Sequence, residues 1–197
     1  MWLLDLIARW LGRASLLLFP RATVHGIKTI ISDIKAPRTV CLERLSASIN
    51  TLQDVDGRRR GWLTRYARYI VIWPGPYSFA DSFGGIFIAS DYLLEAEPER
   101  VAGVLVHEAV HHRLKRFRIK TTPQLKPRIE TICTEEQADF LRKCGERGRA
   151  WAKELEDALM DPWWSEIHEH VRIEELIERG MPRSIGWLMK RRLESAP

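Results

Sequence analysis

Long uncharged runs are missing from this chain of 197 residues: the longest stretch without Asp, Glu, Lys or Arg is Tyr69 to Ala80, twelve residues broken by Pro74 and Pro76. A bilayer-spanning helix needs about 18 or more apolar residues, so the sequence offers no transmembrane span. Cysteine is scarce as well. Cys41, Cys133 and Cys144 are odd in number and form no CxxC pair, which argues against a disulfide framework and for a reducing, cytoplasmic setting. Internal repeats, low-complexity tracts and long Gly/Ser linkers are absent too, so nothing divides the chain. What remains is a globular composition, 45% hydrophobic and 29% charged, that suits a single domain over residues 1–197.

At the amino terminus, Trp2, Leu3, Leu6, Trp10, Leu17 and Leu18 lie broadly opposite Asp5, Arg9 and Arg13 on a helical wheel. Residues 1–19 therefore read as an amphipathic helix that docks on the core or makes peripheral contact with a membrane surface. The three charges interrupt any signal-peptide core, and no small-residue cleavage site follows. The net charge of +5 comes partly from Arg58-Arg59-Arg60, Arg113 to Lys120 and Lys190-Arg191-Arg192. Such runs are read as solvated faces, and nucleic acid is not expected as a partner.

Periodicity sketches an α+β domain. Ile27, Ile30, Ile31 and Ile34 recur at helical spacing, and Cys41, Leu45, Ile49 and Leu52 resume it after Ala36-Pro37, until Asp56-Gly57 ends the region. Tyr69-Ile70-Val71-Ile72-Trp73 is rich in β-formers, stops at a Pro-Gly-Pro turn and is answered by Gly85 to Ala89, the second arm of a hairpin. Helices follow: one from near Pro98, one from near Pro123 or Pro127 after a loop around residues 118–122, and one from Asp161-Pro162 to Gly180.

His107-Glu108-Ala109-Val110-His111 fits the pattern HExxH within a helical, apolar context. Four residues make about one turn, so both imidazoles project from one face and can ligate a single zinc ion, while Glu108 can reach a water bound there. With 6 His and 17 Glu in the chain, a chance match is roughly a 1.5% event. The bland reading, a surface helix with two solvated histidines, conflicts with Val104, Leu105 and Val110 around the motif.

A catalytic zinc usually takes three protein ligands and leaves the fourth position to water. Cys133 is a soft candidate, and three glutamates on the following helix compete. Glu130 would come level with His111 if the chain turns back through the 118–122 loop. Glu136 lies nearer the centre of the face drawn by Leu125, Ile129, Ile132, Cys133 and Phe140, and Glu135 lies farthest from it. His112 points about 100° away from His111 and is read as non-ligating.

HExxH, eighteen intervening residues and Glu130 resemble the spacing of the gluzincin metallopeptidases, particularly the aminopeptidase N group, with the thermolysin group close to it. That resemblance implies a zincin-like fold, zinc-dependent peptide-bond hydrolysis, Glu130 as third ligand and Glu108 as general base. Upstream, SFADSFGGIFIASDYLL and ERVAGVLVHEAVHH are similar to the HtpX-like and CaaX-prenyl endopeptidase group, without its membrane spans. Glu135-Glu136-Gln137-Ala138-Asp139 also looks like the ExxAD ligand segment of that group, which would make Glu135 the ligand and Asp139 its support. The short loop favours Glu130. Residues 69–145 carry these likenesses and form the expected metallopeptidase core.

The expected partner is a peptide or protein substrate that adds a strand along Ser78 to Phe83, with His168, His170 or Tyr92 reaching in to stabilise the oxyanion. Trp163 and Trp164 are expected to close the core beneath the site. Two other uses fit the same motif: a regulatory metalloprotein resembling the ImmA/IrrE group, and a non-catalytic, zinc-stabilised interaction module.

Overall fold

The computed structural model describes residues 19–81, 83–119, 121–122 and 124–160. The expected helix over residues 1–19, save its last residue, and that over 161–180, with Trp163, Trp164, His168 and His170, lie outside them. Among the described residues the fold is α+β, with five strands in one mixed sheet and six helices. The strands are β1 (Arg21–Val24), β2 (Ile27–Ile31), β3 (Tyr69–Trp73), β4 (Phe79–Ala80) and β5 (Gly85–Ala89). The helices are α1 (Arg38–Val55), α2 (Gly57–Tyr66), α3 (Ser90–Glu95), α4 (Pro98–Arg116), α5 (Lys126–Arg142) and α6 (Gly145–Ala158). None is long and apolar enough to cross a membrane.

The sheet order is β1-β2-β3-β5-β4. Residues 21–31 form a β-hairpin, which corrects the helical reading of Ile27 to Ile34. His25 and Gly26 both adopt positive φ, 47° and 81°, as a two-residue hairpin loop between paired Val24 and Ile27 requires. Once the turn is made, burial follows a period of two: Ile27, Thr29 and Ile31 are buried, whereas Ile34 is left in solvent. The helical spacing of the four isoleucines gave way to the turn, which keeps Ile27 and Ile31 on the buried face.

The expected hairpin of residues 69–73 and 85–89 is also corrected, because β3 and β5 run parallel. After Pro74-Gly75-Pro76 the chain returns through β4, antiparallel to β5, and β5 slots between β3 and β4. Gly85 makes that insertion feasible. It pairs with Tyr69, and a Cβ there would lie 2.3 Å from the tyrosine ring. The fully apolar β5 takes the inner position, and short β4 becomes the edge.

Ile27, Ile31, Ile70, Ile72, Ile86 and Ile88 join α1 residues Cys41, Leu45, Ile49 and Leu52 and α4 residues Val101, Leu105 and Ala109 in one buried cluster. Helices α4 and α5 form an antiparallel pair in which Gly103 admits Leu141 and Gln137, 3.3 and 3.4 Å from where a Cβ would sit. Pro98 and Pro127 stand at their first turns, where a missing N–H costs nothing.

Helix α2 and the arginine within it were not legible as structure. Arg59, expected on a solvated face, is only 2% exposed. Its guanidinium donates to Asp56 at 2.5 Å and to Glu136 at 2.5 and 3.1 Å, tying the start of α2 to α5. Asp56 also caps α2 through the Arg59 amide and accepts from Lys143. A buried guanidinium is tolerable only because its donors are met by carboxylates. Burial works against the Asp56 carboxylate, but Lys143 and Arg59 outweigh it and hold its pKa at about 2, below the ordinary 3.8.

A lowered acid pKa gives stability that is complete above the unfolded value and lost as pH falls through the folded one. Asp56→Asn keeps a capping side chain but loses the charge, and should destabilise the protein at pH 7 by about 2 kcal/mol in urea unfolding. The difference from the parent should shrink between about pH 4 and pH 2.

Candidate metal centre

One turn of α4 carries His107 and His111, and their Nε2 atoms stand 3.2 Å apart. Antiparallel α5 brings the Oε2 atom of Glu130 to 3.4 Å from each of them. That oxygen is buried and has no hydrogen-bond partner among the described residues. A buried carboxylate oxygen left in this way is costly unless something else satisfies it. Three donors at 2.0–2.1 Å around a tetrahedral metal ion stand roughly 3.3–3.4 Å apart, and these three atoms have that spacing. The set of two imidazoles and one carboxylate fits a metal ion.

Cys133, about one turn after Glu130, offers another donor to the histidine pair. His107, His111 and Cys133 form a group that could hold a metal ion, with ligand atoms all within 4.8 Å of one another. The thiol is fully buried, and burial with the Glu130 and Glu108 charges pushes its pKa far up. Glu130 stands 3.4 Å from both histidine nitrogens. Burial opposes the Glu130 carboxylate, yet contacts with His107 and His111 hold its pKa well below the usual range. The same contacts act in reverse on His107, where burial disfavours the charged ring but Glu130 and Glu108 prevail and raise its pKa.

The neighbouring residues orient the site. His107 Nδ1 lies 3.1 Å from Gln137 Oε1, so the ring N–H donates there and the Nε2 lone pair is turned toward His111 and Glu130. Gln137 is buried two turns after Glu130, on the same face of α5. That seven-residue spacing was a signal available in the sequence; the identity of its partner was not. Glu108 is 5% exposed, and burial raises its pKa.

The other candidates go elsewhere. Glu135 is exposed, and Glu136, expected to point inward, does so toward Arg59 and not toward the histidines. Asp139 pairs with Arg142 on the surface. Tyr92 belongs to α3, where burial raises its pKa and the nearby Arg100 and Glu97 charges act in opposite directions. His112 turns away from the centre, and its Nε2 meets the Gly85 carbonyl at 3.1 Å. Its pKa falls to about 4 through burial and the nearby Lys115 charge, so the ring is neutral at physiological pH.

Comparison with known proteins gives this chain no family: no family profile, curated protein or solved structure matches it.

Proposed function

We propose that the protein is a zinc-dependent metallopeptidase. The observation that carries this reading is the near-equilateral triangle of His107 Nε2, His111 Nε2 and Glu130 Oε2 beside a buried Glu108. His107, His111 and Glu130 would hold Zn2+. Zinc in such a site supplies a Lewis acid that brings the pKa of a water toward about 7 and polarises a carbonyl.

The remaining work falls to the chain. Gln137 holds His107 in the tautomer that leaves Nε2 free. Glu108 accepts a proton from the attacking water and delivers it to the departing amine, a role suited to a carboxylate whose burial has raised its pKa. Strand β4 stands last in the sheet order, so an extended peptide can add to it by β-augmentation and present its backbone to the site.

A second reading, a non-catalytic zinc-stabilised module, is favoured by Cys133. Four protein donors would close the coordination sphere, as in structural zinc sites. Glu108→Gln separates the two. An enzyme keeps its zinc and loses hydrolysis of an unstructured peptide by about a hundredfold or more, whereas a module has no zinc-dependent hydrolysis to lose.

Protein purified without chelator should carry about one zinc per chain, and elemental analysis of His107→Ala should show it gone. Zinc retained in His107→Ala at the parent level would sink the site. Under graded chelator, Glu130→Gln should release zinc far more readily than Glu135→Gln or Glu136→Gln. Gln137→Leu should weaken zinc affinity by roughly 10- to 100-fold while the fold survives, as measured by competition with a chromogenic chelator.

A further inference from the structure

Helix α4 presents a second functional stripe. Glu108, His112 and Lys115 stand at i, i+4 and i+7, which places them on one face, adjoining the face of His107 and His111. Beyond Glu108 that stripe meets the turn joining β4 to β5. Lys115 Nζ donates to the Asp81 carbonyl at 2.7 Å, and His112 Nε2 donates to the Gly85 carbonyl at 3.1 Å. The two carbonyls mark the two ends of the turn, which closes on itself through the Asp81 amide donating to Gly85 O at 2.9 Å.

Inside the turn, the Asp81 carboxylate accepts from the amides of Phe83 and Gly85, both at 2.7 Å, and from the Tyr69 hydroxyl at 2.5 Å. Gly84 has φ +95°, a conformation that L side chains rarely adopt. The described residues of the turn are thus held by hydrogen bonds among themselves, and the Asp81 and Gly85 carbonyls are points by which another element can grip it. Helix α4 grips both. A surface connection between a two-residue strand and its neighbour needs no such double anchoring from a buried imidazole and a lysine.

We propose that His112 and Lys115 are positioning residues that hold edge strand β4 in register with Glu108, so that a peptide added to β4 lies at a fixed distance from the general base. The proposal rests on the peptidase reading for its purpose and on the two hydrogen bonds for its geometry. Neither residue touches substrate. Losing either donor removes one of the two hydrogen bonds that fasten the turn to α4, which loosens the turn and with it β4.

The full-length protein tests this in two ways. Amide hydrogen exchange across residues 77–89 needs no substrate. His112→Leu and Lys115→Met should each speed exchange there by about tenfold, with no change at α5, and His112→Gln and Lys115→Arg, which keep a donor, should restore much of the protection. Hydrolysis of an unstructured casein peptide should show KM raised several-fold in Lys115→Met, kcat within about threefold and zinc content at the parent value. Unchanged exchange in both variants, or a fall in kcat with KM unmoved, overturns the proposal. If His112→Leu fails to fold, Lys115→Met carries the test alone. If the parent shows no zinc-dependent hydrolysis, the peptidase reading fails, and the exchange experiment still decides whether α4 clamps the turn.

Discussion

The site depends on how closely α4 and α5 approach. Two histidines one turn apart define a line, and a third donor becomes useful only if the next helix returns antiparallel at short range. Gly103 permits that approach, because any larger side chain would press on Leu141 and Gln137. From this crossing, Gln137 falls beside His107 and Glu130 falls between the two imidazoles. The carboxylate oxygen left without a hydrogen bond is a consequence of the same geometry.

Around that crossing the protein holds each helix from outside. Arg59 ties α5 to α2 through Glu136 and Asp56, and Arg113 of α4 lies over the ring of Trp62 in α2, 4.3 Å from its centroid. Helix α2 therefore grips both helices of the pair. On the opposite side, His112 and Lys115 fasten α4 to the β4–β5 turn. One helix thus carries the histidines on one face and the sheet edge on another, with Glu108 turned toward the latter face. This coupling of a metal-binding face to a strand edge is what the proposed hydrolysis requires.

Several charged residues that look like surface in the sequence serve this framework. Arg59 sits in a run of three arginines, and nothing in the run marks the middle one as buried. Its partners Glu136 and Asp139 are 77 and 80 positions away. Glu136 illustrates the same point from the other side. The apolar face of α5 correctly suggests that it turns inward, but the face cannot say which element waits there.

The sequence by itself determined the elements whose signal is local: the HExxH turn of α4, its proline start, the helix after the 118–122 loop, and the β-rich runs at residues 69–73 and 85–89. It placed Glu130 at a distance from His111 from which a short helical hairpin brings it back, because helix rise and loop length are local quantities. Only the tertiary structure decided the rest. The 21–31 segment became a hairpin because a positive-φ turn at His25-Gly26 set a period of two, against the helical spacing of the four isoleucines. Strand β5 ran parallel to β3 because Gly85 fits under Tyr69 and leaves β4 as the edge. The choice of Glu130 as the carboxylate that meets the histidines, like the burial of Arg59, rested on which residues of distant segments meet, and a one-dimensional pattern carries no record of that pairing.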